Sequence, residues 1–343
     1  MSMGARAIFH LAPHTVAVRE TETPPLQPGE LRVRSQTSAI SPGTESLIFR
    51  GGMPENWVLG DGTSACAGEF RYPFKFGSAL VAQVVEAGGR EDRDWVGQRV
   101  FVRHCHQDSA VVRQADCRRV PEEMPVDRAL FLGNMETALA LVLDAAPLAG
   151  ERVMVFGQGV IGLLTTAILA HFPLAELITS DPVAARREQS MELGAALAID
   201  PAKGRELAVL EDCLFFGNHN GLDIAIEVSG QIEALNQAIK LTGFDGRIVV
   251  GSWYGRNAGP VDLGGYFHER RQRLVSSRAN SPNPRLSGRW NEERRLKLAL
   301  EWLDRIRPER FITHRFAPEA CQEAFELAAD KRAGAMLVIF EYP

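Results

Sequence analysis

The sequence predicts an α/β protein of two parts, a β-rich domain followed by a doubly wound parallel sheet. Three observations carry this prediction. Residues 1 to about 125 consist of short alternating runs broken by Pro and Gly. From about residue 127 onward, apolar strands alternate with helices at α/β intervals. One strand-to-helix junction carries three glycines spaced Gly157-x-Gly159-x-x-Gly162. The chain has 343 residues, too many for one ordinary core and enough for two.

In the first domain the strand-like runs are "ELRVRSQTSAI", "SALVAQVVEAG", "GQRVFVRH" and "SAVVRQ". "VDRALFLGNMETALALVLDAAPL" then has helical spacing. Strands are expected over 152–157, 176–181, 196–200, 222–228 and 246–251, with helices over 160–172, 183–193 and 231–241. Apolar strands separated by crossover helices make a parallel sheet covered on both faces. After residue 276 come a polar stretch, "SRANSPNPRLSGRW", a helix "NEERRLKLALEWLDRI", a second helix over 318–330 and a last strand, "GAMLVIFEY". That strand is expected to return to the first domain, giving domains of 1–126 with 277–343, and 127–276.

Composition excludes several classes of protein. The chain is 45% apolar and 24% charged with a net charge of -5, which does not favour a polyanion such as nucleic acid. The basic clusters "ERRQR" and "EERR" read as solvated surface. No run of about 18 apolar residues predicts a membrane span, and the N-terminus alternates like a strand, so a cytoplasmic enzyme is expected. The five cysteines are widely spaced and lack a C-x-x-C pair. Their pattern argues against a disulfide framework and against a four-cysteine zinc lobe.

At the glycine-rich junction, Gly157 permits the tight turn, Gly159 lets backbone approach a pyrophosphate, and Gly162 lets helix and strand pack closely. Val160 and Ile161 open the helix, whose N-terminal amides favour phosphate. The next strand ends at Asp181, about 20 residues on, where a carboxylate accepts from ribose hydroxyls and repels a 2′-phosphate. NAD(H) is therefore favoured over NADP(H). Arg186 and Arg187 follow closely, as helix-surface charge or as the means of binding a 2′-phosphate.

The order of parts resembles the medium-chain dehydrogenase/reductase superfamily, the zinc alcohol dehydrogenase-like proteins, over nearly the whole chain. The likeness rests on "SAISPGTES", "YPFKFGSALVAQVVEAGG", "WVGQRV", "FGQGVIGLL", "DIAIEVSG", "GRIVVGS" and "FITHRFAPEACQEAFEL". Within it, "ISPGTESLIFRGGMP" is similar to the N-terminal motif of bacteriochlorophyllide a dehydrogenase-like proteins. The resemblance implies a GroES-like β domain, a Rossmann domain and an active site in the cleft between them. It also implies that Thr137 lies near the nicotinamide, with Val228, Gly251 and Ser252 lining its pocket. Thr137 reads equally as an ordinary helix residue.

The family's zinc ligands are missing. Its cysteine motif reads Ser41-Pro42-Gly43-Thr44-Glu45, its Gly-His-Glu reads Gly77-Ser78-Ala79, and its later ligand falls at Gly133-Asn134. No zinc is expected, so another group must stabilise the oxygen that gains charge during hydride transfer. Thr44 matches the family's proton-relay hydroxyl, though it could instead cap a helix. His104 or His106 is the expected acid/base partner, since imidazole titrates near neutrality, and Glu45 would orient one of them. Two histidines at i and i+2 on a strand share a face, which leaves a metal, a substrate contact or plain packing open. Glu136, beside Thr137, is a further candidate; Tyr72 and Lys75 read better as strand-edge residues.

The leading expectation is an NAD(H)-dependent, zinc-independent dehydrogenase or reductase acting on a secondary alcohol and ketone pair. An enoyl or quinone reductase and an inactive dinucleotide-binding protein are the alternatives. Residues 49–71, with Trp57, Phe70 and Tyr72 in or beside them, read as a loop that selects substrate. A homodimer is expected, with "GRIVVGSWYG" as an apolar sheet edge.

Overall fold

The computed structural model describes residues 3–54, 58–59, 68–69, 71–217, 220–279, 283–330 and 334–343. The chain divides into two compact units, Met1–Gly133 with Arg307–Pro343, and Asn134–Ile306. The breaks fall later than expected on both occasions, and packing explains each. Residues 127–133 stay in the first unit because Arg128 pairs with Glu309 at 2.7 Å and Phe131 meets Phe311 edge-on at 6.4 Å. Residues 277–306 join the second unit. There the helix Glu292–Ile306 buries Ala299, Leu303 and Ile306, and Trp302 sets its ring against His171 at 5.0 Å.

In the first unit, a seven-stranded sheet runs Arg118–Arg119, Arg99–Val102, Leu80–Ala87, Glu30–Ile40, Leu337–Glu341, Ile312–Phe316, with Ser109–Arg113 also paired to Glu30–Ile40. The last strand, Leu337–Glu341, is antiparallel to Glu30–Ile40, placing Val338 opposite Ile40 and Phe340 opposite Ser38. Its "LVIF" is buried on both faces, which explains why it reads as an unbroken apolar run instead of an alternating one. A three-stranded sheet of Thr15–Thr23, Met3–Ala12 and Phe74–Lys75 completes the main β structure. Residues 103–106, expected on a strand, lie beyond the end of Arg99–Val102. Their conformation is irregular, so the two histidines there need not share a face.

In the second unit, six parallel strands run Leu197–Ile199, Glu176–Ser180, Arg152–Phe156, Leu222–Glu227, Thr242–Val250, Arg273–Ser276. The order is third, second, first, fourth, fifth, sixth, that of a dinucleotide-binding Rossmann sheet. The strand Arg273–Ser276 and the helix Gly204–Phe215 were not anticipated. The helix was legible, since Leu207, Leu210 and Leu214 recur at helical spacing, and Leu210 and Leu214 are buried. Because Arg273–Ser276 pairs outside Thr242–Val250, "GRIVVG" is interior and the sheet edge lies at 273–276.

Other expectations also need correction. The "ERRQR" cluster is not simply solvated: Arg270 donates to the carbonyls of Lys240 and Thr242 at 2.8 and 3.0 Å and stacks on Phe215 and Tyr266. In "EERR", Arg295 donates to the carbonyl of Ala279 at 2.7 Å. Cys105 is disulfide-bonded, whereas Cys117, Cys213 and Cys321 are free. Trp57 and Phe70 lie outside the described residues; Tyr72 packs on Phe74 at 5.2 Å. No helix among the described residues is long and apolar enough to cross a membrane.

Candidate cofactor and proton-transfer sites

The second unit builds a glycine-rich turn of the kind that can approach a phosphate. The strand Arg152–Phe156 is buried over its last four residues and ends at Gly157, whose φ of 95° only glycine adopts freely. A Cβ on Gly162 would lie 1.9 Å from the Gly157 carbonyl oxygen, so the helix Val160–Leu169 could not seat against the turn with any larger residue. A Cβ on Gly159 would meet nothing within 4 Å. That open space adjoins the helix N-terminus, where the amides of the first turn lack intrahelical partners.

Side chains then lock this turn. Asp181 is buried; its Oδ2 accepts from the Gln158 amide at 2.7 Å and its Oδ1 from the Val183 amide at 2.9 Å. A carboxylate offers about four acceptor sites, so roughly two remain for ribose hydroxyls. Arg187 donates to the Asp181 carbonyl at 2.7 Å and pairs with Asp200 at 3.5 Å, which occupies that cation, while Arg186 lies half-buried on the helix Ala184–Glu192. Sequence reasoning missed Gln158. Its buried amide donates to the carbonyls of Val155 and Gly157 and accepts from Thr166, stitching strand, turn and helix together.

At the end of Leu222–Glu227 lies a second missed residue, Glu227. It is fully buried, accepting from the amide and hydroxyl of Ser229 at 2.7 and 2.5 Å and from the Tyr254 hydroxyl at 2.5 Å. Burial, then the Glu227 charge, raise the Tyr254 hydroxyl well above its usual pKa, so Tyr254 remains a donor. This cluster fixes the neighbouring backbone. The Val228 amide donates to Phe156, the Gly251 amide to Glu227, and the Ser252 hydroxyl accepts from Gly230 at 2.8 Å. Glu136 and Thr137 are half-buried on the helix Leu132–Ala145 of the same unit.

The first unit brings together Glu45 and His106, both fully buried. Glu45 stands in the helix Thr44–Phe49, and its Oε2 lies 2.7 Å from His106 Nε2. Its Oε1 accepts from the Ser41 amide at 3.0 Å and from the Ser78 hydroxyl at 3.3 Å. On the far side, His106 Nδ1 lies 2.7 Å from the Ser38 hydroxyl. Gly77 makes this packing possible, because a Cβ there would fall 2.6 Å from the His104 carbonyl oxygen. Thr44 is half-buried; the N-cap is Gly43 with no side-chain cap, so capping does not explain the threonine.

His104 does not join the pair. Its Nδ1 lies 3.1 Å from the Cys105 carbonyl, and burial pulls its pKa down to about 4, so it is neutral near pH 7 and does not titrate there. His10, also missed, stacks on Phe74 at 5.2 Å; neither ring nitrogen has a partner, and burial followed by repulsion from His106 lowers it to about 3. Lys75 donates to the Gln107 side chain at 3.1 Å, and burial lowers its pKa.

A six-stranded parallel sheet in this order, with a glycine turn, an open helix N-terminus and an acid on the next strand, defines a dinucleotide-binding unit. Comparisons with known proteins agree. Residues 160–295 match the family model described as zinc-binding dehydrogenase. The chain is 26% identical over 300 residues to D-guloside 3-dehydrogenase of Escherichia coli K12, covering 82% of this chain and 83% of that one. Its fold matches L-idonate 5-dehydrogenase of Escherichia coli with a TM-score of 0.80 at 18% identity, covering 100% and 99% of the two chains. It also matches an alcohol dehydrogenase of Escherichia coli CFT073 complexed with NADH, with a TM-score of 0.79 at 19% identity over 99% of each. The chain is thus similar to the zinc-binding dehydrogenase family over residues 160–295 and to dehydrogenases over most of its length, in keeping with its resemblance to the medium-chain dehydrogenase/reductase superfamily.

Where that superfamily holds catalytic zinc, the residues present do not fit a metal. Pro42 and Ala79 offer no side-chain donor, Gly133 has no side chain, and the Ser78 hydroxyl is directed to Glu45. Zinc prefers Cys, His and carboxylate ligands, usually three from the protein at a catalytic site. Among the described residues no group of three or more His, Cys, Asp or Glu is placed to hold a metal.

Proposed function

We propose that this protein is an NAD(H)-dependent oxidoreductase that interconverts a secondary alcohol and its ketone without a catalytic zinc, and that it works as a homodimer. One observation carries the reading: where a metal-binding histidine would stand, the Ser78 hydroxyl instead donates to the Glu45 carboxylate that also holds His106. A hydroxyl backed by a carboxylate and an imidazole can exchange a proton with an alcohol or carbonyl oxygen, which is the task the metal otherwise eases.

Bound NAD supplies the hydride acceptor, and NADH the donor. The chain's own groups handle the proton. Thr44 and Ser78, both half-buried, are the hydroxyls we assign to meet the substrate oxygen, and Glu45 and His106 act behind Ser78. Glu136 is a further acid candidate in the second unit. Asp181 supports NAD over NADP because its negative charge opposes a 2′-phosphate and Arg187 is already engaged. The names of the relatives, D-guloside 3-dehydrogenase and L-idonate 5-dehydrogenase, support a hydroxylated substrate.

The test is NADH oxidation with butane-2,3-dione and with cyclohex-2-enone, alongside metal content by elemental mass spectrometry. Reduction of the dione, far less than one zinc per chain and indifference to chelator are the expected results. Reduction of the enone alone would make the protein an enoyl reductase. Tight NADH binding with no turnover over a broad carbonyl panel would mark a protein that has lost catalysis, and one zinc per chain would sink the metal-free reading.

A further inference from the structure

The Glu45–His106 pair is the middle of a longer chain of hydrogen bonds. Ser38 Oγ, 2.7 Å from His106 Nδ1, lies 3.1 Å from the Tyr342 hydroxyl. In order, the chain is Ser78, Glu45, His106, Ser38, Tyr342. The middle three are at most barely accessible, whereas Ser78 and Tyr342 are each half-buried. Tyr342 and His106 share a small indentation with Arg6, Asp108 and Pro318, about 10 Å³ in volume, or room for roughly one water. The polar line therefore crosses an apolar core, walled by Phe325 and Phe340 at 6.0 and 5.1 Å from the His106 ring, and reaches partly exposed groups at both ends.

We propose that Ser38 and Tyr342 complete a proton relay through the first unit, with Ser78 as its substrate-side terminus. This rests on the oxidoreductase reading above. The hydrogen-bond roles are mutually consistent. A Glu45 carboxylate requires the His106 proton on Nε2, leaving Nδ1 to accept from Ser38 and Ser38 to accept from Tyr342. Burial raises the Tyr342 hydroxyl above its usual pKa, so it stays protonated and able to donate.

Ketone reduction adds hydride from NADH to carbon and one proton to oxygen. The Ser78 O–H breaks as the product O–H forms. Ser78 is reprotonated by the Glu45 carboxyl, which takes the His106 Nε2 proton and turns it toward Ser78. His106 Nδ1 takes the Ser38 proton, Ser38 the Tyr342 proton, and Tyr342 one from solvent. Oxidation runs the same exchange backwards, and each bond broken is matched by one formed.

The other titratable groups facing this line are His10 from the first strand, His104 beside it, and Asp108, whose charge acts on Tyr342. Lys75 acts on His104. With His10 at about 3 and His104 at about 4, both are neutral near pH 7 and neither competes for the transferred proton there.

The experiment uses the full chain labelled with ¹⁵N-histidine and reads the solvent exchange rate of the His106 ring proton by NMR. Tyr342→Phe and Ser38→Ala are expected to slow that exchange by about tenfold or more, with Ser38→Thr restoring it. A structural role alone would change melting temperature and leave the exchange untouched, so unchanged exchange in folded Tyr342→Phe and Ser38→Ala overturns the relay. With butane-2,3-dione as probe, Tyr342→Phe is expected to lower kcat and raise its solvent isotope effect while KM and NADH affinity hold. Slowed exchange in a protein that reduces neither ketone nor enone upholds the relay and overturns the redox reading. Turnover with unchanged exchange does the reverse.

Discussion

The glycine turn of the second unit and the Glu45–His106 cluster of the first solve opposite problems. The turn depends on glycines that carry no side chain: Gly157 adopts a left-handed φ, Gly162 admits a carbonyl at contact, and the helix amides beside Gly159 are left uncovered. The cluster works mainly through side chains, joined across 61 residues from Glu45 to His106 and 304 from Ser38 to Tyr342. The difference teaches where each can be damaged. A backbone site fails when something is added, and a buried polar cluster fails when something is taken away.

Adding a methyl group at Gly162 should have the largest effect on function. Gly162→Ala must displace the Gly157 carbonyl, and the overpacking cost of about 1–3 kcal/mol corresponds to roughly 5- to 150-fold weaker NADH binding, measured by calorimetry. Gly159→Ala, where a Cβ meets open protein space, should fold normally and lose affinity only by crowding the ligand; equal stability losses in the two variants would break the comparison.

Removing a group from the cluster should instead cost stability and leave cofactor binding alone. Glu45→Ala leaves the buried His106 Nε2–H without its acceptor, and an unsatisfied buried polar group costs about 1–3 kcal/mol, readable by urea unfolding. NADH affinity in the surviving folded protein should match that of the parent. A large affinity loss would show that the two regions are not separable.

Asp181→Asn sharpens the comparison from within the turn, because it removes charge while keeping an acceptor. It should narrow the preference for NADH over NADPH by about tenfold, the equivalent of roughly 1.4 kcal/mol, in parallel binding titrations.

The smallest effect should come from His10, a buried polar group with nothing to bond. His10→Phe keeps the stacking on Phe74 and should raise stability by about 1 kcal/mol at pH 7. Its pH signature has a definite sign. Folded His10 and His104 titrate at about 3 and about 4, below the unfolded value of 6.5, so the unfolded chain binds protons first. Stability should be complete above pH 6.5 and fall as pH drops toward 4 and then 3, and His10→Phe should flatten part of that fall. A parallel decline in both proteins would discard this account.

The parallel sheet, the glycine turn and Asp181 were legible in the sequence because local rules govern them. Buried parallel strands read as apolar runs, and a turn, a helix start and a strand-end acid follow one another along the chain. Gln158 and Glu227 were missed although each sits within a few residues of a motif, since nothing local shows that a polar side chain points inward. The histidine cluster was only half legible. Glu45 was expected to orient either His104 or His106, and the two rings were expected to share a strand face, but the irregular run after Val102 turns them to different partners and only His106 meets Glu45.

By itself, then, the sequence determined what depends on neighbours in the chain: two domains, a Rossmann crossover pattern, a glycine turn at a helix start, and residues other than Cys and His at the positions where the resembled family holds zinc. Only the tertiary structure decided what depends on residues far apart meeting in a dry interior. There the return of Leu337–Glu341 beside Glu30–Ile40 brings Tyr342 to Ser38, and Gly77 lets the segment carrying His106 reach Glu45. Burial then makes those few hydrogen bonds, and the two depressed histidines beside them, matter far more than they would in water.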